Sequence, residues 1–201
     1  MVDSKLLPIA GGFLNPVADY LNSKRISANT VTAIGFFIGL LAVPLIIAEY
    51  FTVAILLICI NRICDGLDGI IARLNKITNK GAFLDISLDF IFYGSIPVAF
   101  AFLNPLENSL PAVILLFSFF GTGSTFFAFS IMAERENIVS KKFSKKGFYY
   151  LEGLVEGTET IVFLVLMCLL PNYFPIIAYI FSFGCLITTI FRLKIGWSNL
   201  R

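Results

Sequence analysis

Apolar residues run along this chain in stretches of about twenty, each closed by a short polar or proline-bearing break. A helix needs about 20 apolar residues to cross a bilayer, and six segments qualify: 30–49, 51–74, 82–104, 109–135, 149–170 and 173–193. Ala48-Glu49-Tyr50, the run from Asn104 to Asn108, and Pro171-Asn172-Tyr173 separate them in pairs. Ahead of the first, residues 7–25 mix apolar and polar positions at helical spacing, which predicts an amphipathic helix lying along the interface. The pattern therefore predicts an all-α integral membrane protein. Residues 1–201 form a single membrane domain, with an interfacial segment over 1–29 and a bundle of six transmembrane helices over 30–193.

Composition agrees with a bilayer as solvent. Of 201 residues, 58% are hydrophobic and 22 are Phe, an apolar share too high for a soluble domain. The net charge is only +2, so its distribution carries more information than its size. Lys5, Lys24 and Arg25 precede the first span, Arg73, Lys76 and Lys80 surround the second connection, and Lys194 and Arg201 follow the last span. Lys141, Lys142, Lys145 and Lys146 fill the fourth connection; they orient the chain and are also suited to anionic lipid heads. The opposite connections hold Glu49 and Glu107 and no basic residue. This asymmetry predicts a multi-pass protein of the cell inner membrane or its equivalent, with both termini and the basic loops facing the cytoplasm. Residues 1–29 lack the order of a cleavable signal peptide. Cys59, Cys64, Cys168 and Cys185 lie in apolar runs without paired metal spacing and read as small packing residues.

Against this background, residues 61–90 are anomalous: Asp65, Asp68, Asp85 and Asp89 fall within 25 residues of apolar sequence. Asp65 and Asp68 share a face with Ala72 on one helix, and Asp85 and Asp89 share a face on the next. A hairpin around 73–80 brings the two faces together. Asp65 then lies roughly 12–13 Å from Arg73 along its helix, within the inner leaflet. An ionised Asp costs at least about 2.5–3.5 kcal/mol at the centre of a membrane helix unless compensated. Four together repel unless cations sit between them, and carboxylate oxygens suit hard cations such as Mg2+ or Mn2+. With no His in the chain, acid–base work also falls to carboxylates. Two other readings stand beside this one. Some of the acids pair with Arg62, Arg73 or Lys76, or they mark a proton or ion pathway. Gly69 and Ala72 keep one helix face shallow, and Arg73 offers a planar five-donor cation suited to phosphate, which favours a pyrophosphate site at the membrane surface. Gly69 and Gly81 also suit close helix packing.

The runs D-G-L-D-G-I-I-A-R (65–73) and G-A-F-L-D-I-S-L-D (81–89) resemble the motif of the CDP-alcohol phosphatidyltransferases, in both halves. The stretch between Arg73 and Gly81 is one residue shorter than the commoner spacing. The resemblance implies two divalent cations, Mg2+ or Mn2+, among Asp65, Asp68 and Asp85. It implies Asp89 as the base for the acceptor hydroxyl, and also as a candidate metal contact. Gly69, Arg73 and Thr78 would hold the CDP part of a CDP-diacylglycerol donor. Ser27-Ala28-Asn29-Thr30-Val31-Thr32 resembles a second family element without its proline; Asn29 and Thr32 match nucleotide-side positions, and both also suit a helix N-cap. The implied activity is transfer of a phosphatidyl group to an alcohol with release of CMP, in phospholipid biosynthesis, by a homodimer and without a nucleic-acid partner.

The acceptor is less legible. Relatives that use phosphorylated acceptors place Arg or Lys on later helices, whereas residues 149–160 here are acidic. Glu152, Glu156 and Glu159 share one helix face and suit either an acceptor pocket or the helix N-terminus. Arg135 is a further candidate acceptor anchor. The expectation is an unphosphorylated alcohol. The alternatives are a phosphorylated acceptor such as glycerol 3-phosphate or inositol phosphate, a polyprenyl transferase, a transporter, or an inactive homologue.

Overall fold

The structure, a computed structural model, describes residues 3–136 and 156–200, with side chains from residue 12 onward. Every regular element among these residues is helical: α1 (Asp3–Ser23), α2 (Ala28–Leu40), α3 (Ala42–Ile47), α4 (Phe51–Asn75), α5 (Asn79–Leu103), α6 (Pro105–Arg135), α7 (Gly157–Leu169) and α8 (Phe174–Asn199), with a 3-10 turn at Pro171–Tyr173. The chain is an all-α membrane protein. Among the described residues, four stretches are long and apolar enough to cross a bilayer: Ala28–Ile47, Asn79–Leu103, Pro105–Arg135 and Pro171–Asn199. α4 is as long as α5, 25 residues each, but it carries Arg62, Asp65, Asp68 and Arg73. Of the expected fifth segment, residues 157–169 are helical, while 149–155, with Glu152, and the four lysines at 141–146 lie outside the described residues.

Several boundaries differ from expectation for local chemical reasons. The first segment is two helices, because Pro44 lacks an N–H and its ring clashes with the carbonyl one turn earlier. α6 starts at Pro105 rather than 109, as proline is pre-organised for the first helical position. α5 starts at Asn79, where the Thr78 hydroxyl accepts the Gly81 N–H at 3.1 Å. The expected N-caps Asn29 and Thr32 lie inside α2, and the cap is Ser27, whose hydroxyl accepts from the Thr30 N–H.

α1 and α3 each end with a non-glycine residue in the left-handed region. Arg25 (φ 59°) and Glu49 (φ 65°) occupy these positions. In each the 6→1 and 5→2 bonds of a Schellman motif form: Ile26 N–H to Leu21 O and Arg25 N–H to Asn22 O in one, Tyr50 N–H to Leu45 O and Glu49 N–H to Ile46 O in the other.

α2 packs on α4, α5 on α6, α6 on α8, and α1 across α4. The α2–α4 contact is close because Gly35 and Gly39 form a G-x-x-x-G face. A Cβ on Gly35 would lie 2.5 Å from Cys64 Cβ, and one on Gly39 would lie 2.8 Å from the Phe92 ring. α1 seats Ala18, with Leu14 and Leu21 beside it, against Leu67 and Ile71, leaving Phe13, Val17 and Tyr20 outward. The main core holds stacked rings, Phe100 on Phe174 at 4.5 Å and Phe163 on Phe181 at 4.4 Å. Large apolar side chains such as Phe37, Phe117, Phe183 and Phe191 point outward, as a protein solvated by lipid allows.

Candidate active site

α4 and α5 form the hairpin that the aspartate spacing predicts, with Lys76, Ile77 and Thr78 between them. One carboxylate oxygen from each of Asp65, Asp68 and Asp85 lies within 4.8 Å of the others. A small cleft opens over them, lined by Thr32, Gly35 and Phe36 of α2 and by the four aspartates with Asn61, Arg62 and Leu88 of α4 and α5. Asp68 is buried, and the Thr32 hydroxyl donates to its Oδ2, which ties α2 to α4 beneath the cleft. Three hard oxygen donors at this spacing fit a divalent cation of the Mg2+ or Mn2+ type.

Asp89 stands apart from this triad. Its Oδ1 accepts from Arg62 Nη2 at 2.6 Å, and its Oδ2 accepts from the Tyr93 hydroxyl at 3.0 Å. Arg62 also donates from Nη1 to the Tyr93 oxygen at 2.9 Å, and from Nε and Nη2 to Asn61 Oδ1 at 2.9 and 2.7 Å. Asn61 Nδ2 in turn donates to the Gly35 carbonyl at 2.9 Å. Arg62 Nη1 is 3.6 Å from Asp65 Oδ2. The ion pairing expected of Arg62 is present and falls mainly on Asp89.

The other expected site residues form two groups near the hairpin. The Arg73 guanidinium folds back over Gly69, where a Cβ would sit 3.3 Å from Arg73 Nη1. Asn29 Oδ1 and Thr78 Oγ1 crowd the bare Cα of Gly81, at 3.0 and 3.1 Å from a Cβ placed there. Both glycines leave room for the polar side chains beside them.

Glu156 and Glu159 form a capping box at the start of α7, each side chain accepting from the other's backbone N–H, that of Glu156 to Glu159 Oε2 at 3.2 Å. Neither lines the aspartate cleft, nor does Arg135, which is exposed in the last turn of α6. The helix-terminus reading weighed for these acids therefore describes both glutamates.

Asn61 and Tyr93 went unremarked in the sequence, and Arg62 figured only as a counter-charge. The helical period carries a signal for each: Tyr93 extends the face of Asp85 and Asp89 by one turn, and Asn61 lies one turn before Asp65.

The family model described as CDP-alcohol phosphatidyltransferase matches residues 25–191. The inner membrane protein YnjF of Escherichia coli is 42% identical over 201 residues, covering 100% of this chain and 98% of that protein. An uncharacterized protein of Aquifex aeolicus is 28% identical over 198 residues, covering 96% and 93%. Among solved structures, Mycobacterium tuberculosis phosphatidylinositol phosphate synthase (PgsA1) with CDP-DAG bound superposes with a TM-score of 0.73 at 18% identity, covering 92% of this chain and 93% of that one. The same synthase in complex with manganese and citrate gives 0.72 at 18% identity, covering 90% and 88%. At that identity the likeness speaks for the fold.

Proposed function

The chain belongs to the CDP-alcohol phosphatidyltransferase family, and from that membership we propose that it moves a phosphatidyl group from CDP-diacylglycerol to an unphosphorylated alcohol, with Asp89 as base. It is a membrane transferase of phospholipid synthesis; donor, acceptor and residue roles are the proposal. The observation that carries it is the convergence of Asp65, Asp68 and Asp85 within 4.8 Å beside a separately held Asp89.

Asp65, Asp68 and Asp85 would hold the divalent cations, two per site, with Asp89 in reach as a further oxygen donor. Bound there, Mg2+ or Mn2+ supplies charge neutralisation for the donor pyrophosphate. Arg73, over Gly69, meets the donor phosphates with a planar fork, and Asn29, Thr32 and Thr78 line the nucleotide side. Asp89 takes the proton of the acceptor hydroxyl, whose oxygen bonds to the phosphorus carrying diacylglycerol. The bond from that phosphorus to the bridging oxygen breaks, and CMP leaves with the electron pair. A carboxylate has about four lone-pair positions, so Asp89 keeps capacity for the hydroxyl beside Arg62 and Tyr93.

An unphosphorylated acceptor is favoured because Arg62, the basic residue among those lining the cleft, commits its donors to Asp89, Asn61 and Tyr93. The basic-residue asymmetry favours a cytoplasmic active site and termini, where nucleotides are made. We further propose six crossings, with α4 and the α7 segment joining the four long apolar stretches, and assembly as a homodimer.

The test is CMP release by purified protein in detergent with CDP-diacylglycerol, Mg2+ or Mn2+, and a panel of alcohols, for wild type and Asp89→Asn. Release that needs the metal, one unphosphorylated alcohol and Asp89 supports the reading. Faster use of glycerol 3-phosphate or inositol phosphate than of any unphosphorylated alcohol would refute the acceptor assignment. Metal-dependent release that survives Asp89→Asn would refute the base.

A further inference from the structure

We propose that Arg62, braced by Asn61 and Tyr93, is a positioning residue that fixes the orientation of the Asp89 carboxylate toward the acceptor hydroxyl. The inference rests on the reading of Asp89 as base and names what holds it there. Four aspartates line one cleft, yet Asp65, Asp68 and Asp85 gather while Asp89 does not. Asp85 and Asp89 sit one turn apart on the same helix, so backbone placement alone leaves Asp89 able to swing toward its neighbours. Two bonds to different oxygens restrain it: Arg62 Nη2 holds Oδ1 and the Tyr93 hydroxyl holds Oδ2.

The brace is itself anchored. Asn61 Oδ1 accepts two of the Arg62 N–H groups, and Asn61 Nδ2 is fixed on the Gly35 carbonyl. A line of hydrogen bonds thus runs from α2 through α4 to α5. The guanidinium lies 5.4 Å from the centre of the Phe92 ring and 5.3 Å from that of Tyr93. Charge, fork geometry and packing together hold one orientation, which a lysine ammonium cannot reproduce. A base within hydrogen-bond reach contributes about 10²–10⁴-fold to a proton transfer, and a misplacement of about 1 Å can cost about 10²-fold. Loss of the brace should therefore act on turnover while leaving the metal cluster intact.

The test compares Arg62→Gln, Arg62→Lys and Tyr93→Phe with wild type and Asp89→Asn. Readouts are kcat and KM for CMP release and Mn2+ affinity measured by electron paramagnetic resonance without substrate. Arg62→Gln should lower kcat about 100-fold while Mn2+ binds as tightly as in wild type or more tightly, since a cation 3.6 Å from Asp65 has been removed. Arg62→Lys should recover part of the loss. Tyr93→Phe should cost about tenfold, the equivalent of one hydrogen bond. In the Asp89→Asn background, Arg62→Gln should cost nothing further.

Wild-type kcat in both Arg62→Gln and Tyr93→Phe would overturn the proposal. So would joint loss of Mn2+ binding and turnover in Arg62→Gln, which marks a merely structural residue. A raised acceptor KM at unchanged kcat would instead assign Arg62 to acceptor binding. Metal-dependent release by Asp89→Asn would remove the underlying reading of the base, an outcome separate from these.

Discussion

Gly35→Ala is the substitution whose consequence follows most directly from the packing. The added Cβ would lie 2.5 Å from Cys64 Cβ and 3.4 Å from its Sγ. Ordinary contact begins near 3.4 Å, so α2 must retreat from α4 by about 0.9 Å, because Cys64 Cβ is fixed to the backbone and cannot swing aside. Overpacking of this kind costs about 1–3 kcal/mol. Weakening the Asn61 bond to the Gly35 carbonyl adds about 0.5–1.5 kcal/mol. Replacing glycine by alanine within a helix returns about 0.8–1 kcal/mol. The net is a loss of about 0.5–4 kcal/mol, or about 1–15 °C in melting temperature for a chain of this size. Because Thr32 precedes Gly35 by one turn, the same retreat lifts its hydroxyl from Asp68, and CMP release should fall with stability. Melting followed by size-exclusion chromatography in detergent measures the first effect, and CMP release the second. Cys64→Gly in the same chain removes the opposing Cβ and should restore much of both. A Gly35→Ala variant that melts within about 1 °C of wild type, which is about 0.5 kcal/mol or less, and keeps its activity would refute the claim that the missing Cβ sets the α2–α4 distance.

Two further substitutions separate stability from activity. Gly69→Ala meets only the flexible end of Arg73, at 3.3 Å, so it should raise helix stability by about 0.5–1 kcal/mol while increasing KM for CDP-diacylglycerol; an unchanged KM would show that the Arg73 position over Gly69 is immaterial to the donor. Glu49→Gly removes a non-glycine residue from the left-handed cap of α3, at φ 65°, and should stabilise by about 1 kcal/mol with no change in turnover; a lower melting temperature would count against a conformational penalty there.

How far the sequence reaches depends on the range of the interaction concerned. The aspartate cluster was legible because helical spacing places Asp65 with Asp68 and Asp85 with Asp89, and a short basic connection leaves the two faces nowhere to go but together. The break after Leu40 was masked by continuous hydropathy, although Pro44 carried the signal. The partners of Asp89 were less legible. Tyr93 lies one turn from Asp89 on α5, but Arg62 could have paired with several acids, and the choice depends on contacts between helices, Arg62 to Asp89 and Asn61 to the Gly35 carbonyl, that no local pattern encodes. Glu156 and Glu159 show the converse: a shared helix face admitted either a pocket or a cap, and their backbone N–H bonds form the capping box.

The polar cleft and the dry core meet at Phe92. Its ring is fully buried, with the Arg62 guanidinium 5.4 Å from its centre and Gly39 beside it. On one side, four aspartates and one arginine line the cleft, an excess of acidic over basic side chains. On the other, Ile58, Ile96 and Phe100 are fully buried. Such an acidic excess has little tolerance for a pyrophosphate, which adds more of the same sign. In the proposed reaction, therefore, the donor head should bind only weakly until cations have reached Asp65, Asp68 and Asp85. Arg73, exposed at the hairpin end near Lys76 and Lys80, would then make the first encounter with the donor. Arg62 cannot take that part without releasing Asp89. In the proposed reaction the two arginines of α4 would thus be separated by burial into different tasks, one meeting the arriving phosphate and one holding the base, and the five residues from Asp65 to Gly69 lie between them on the same helix.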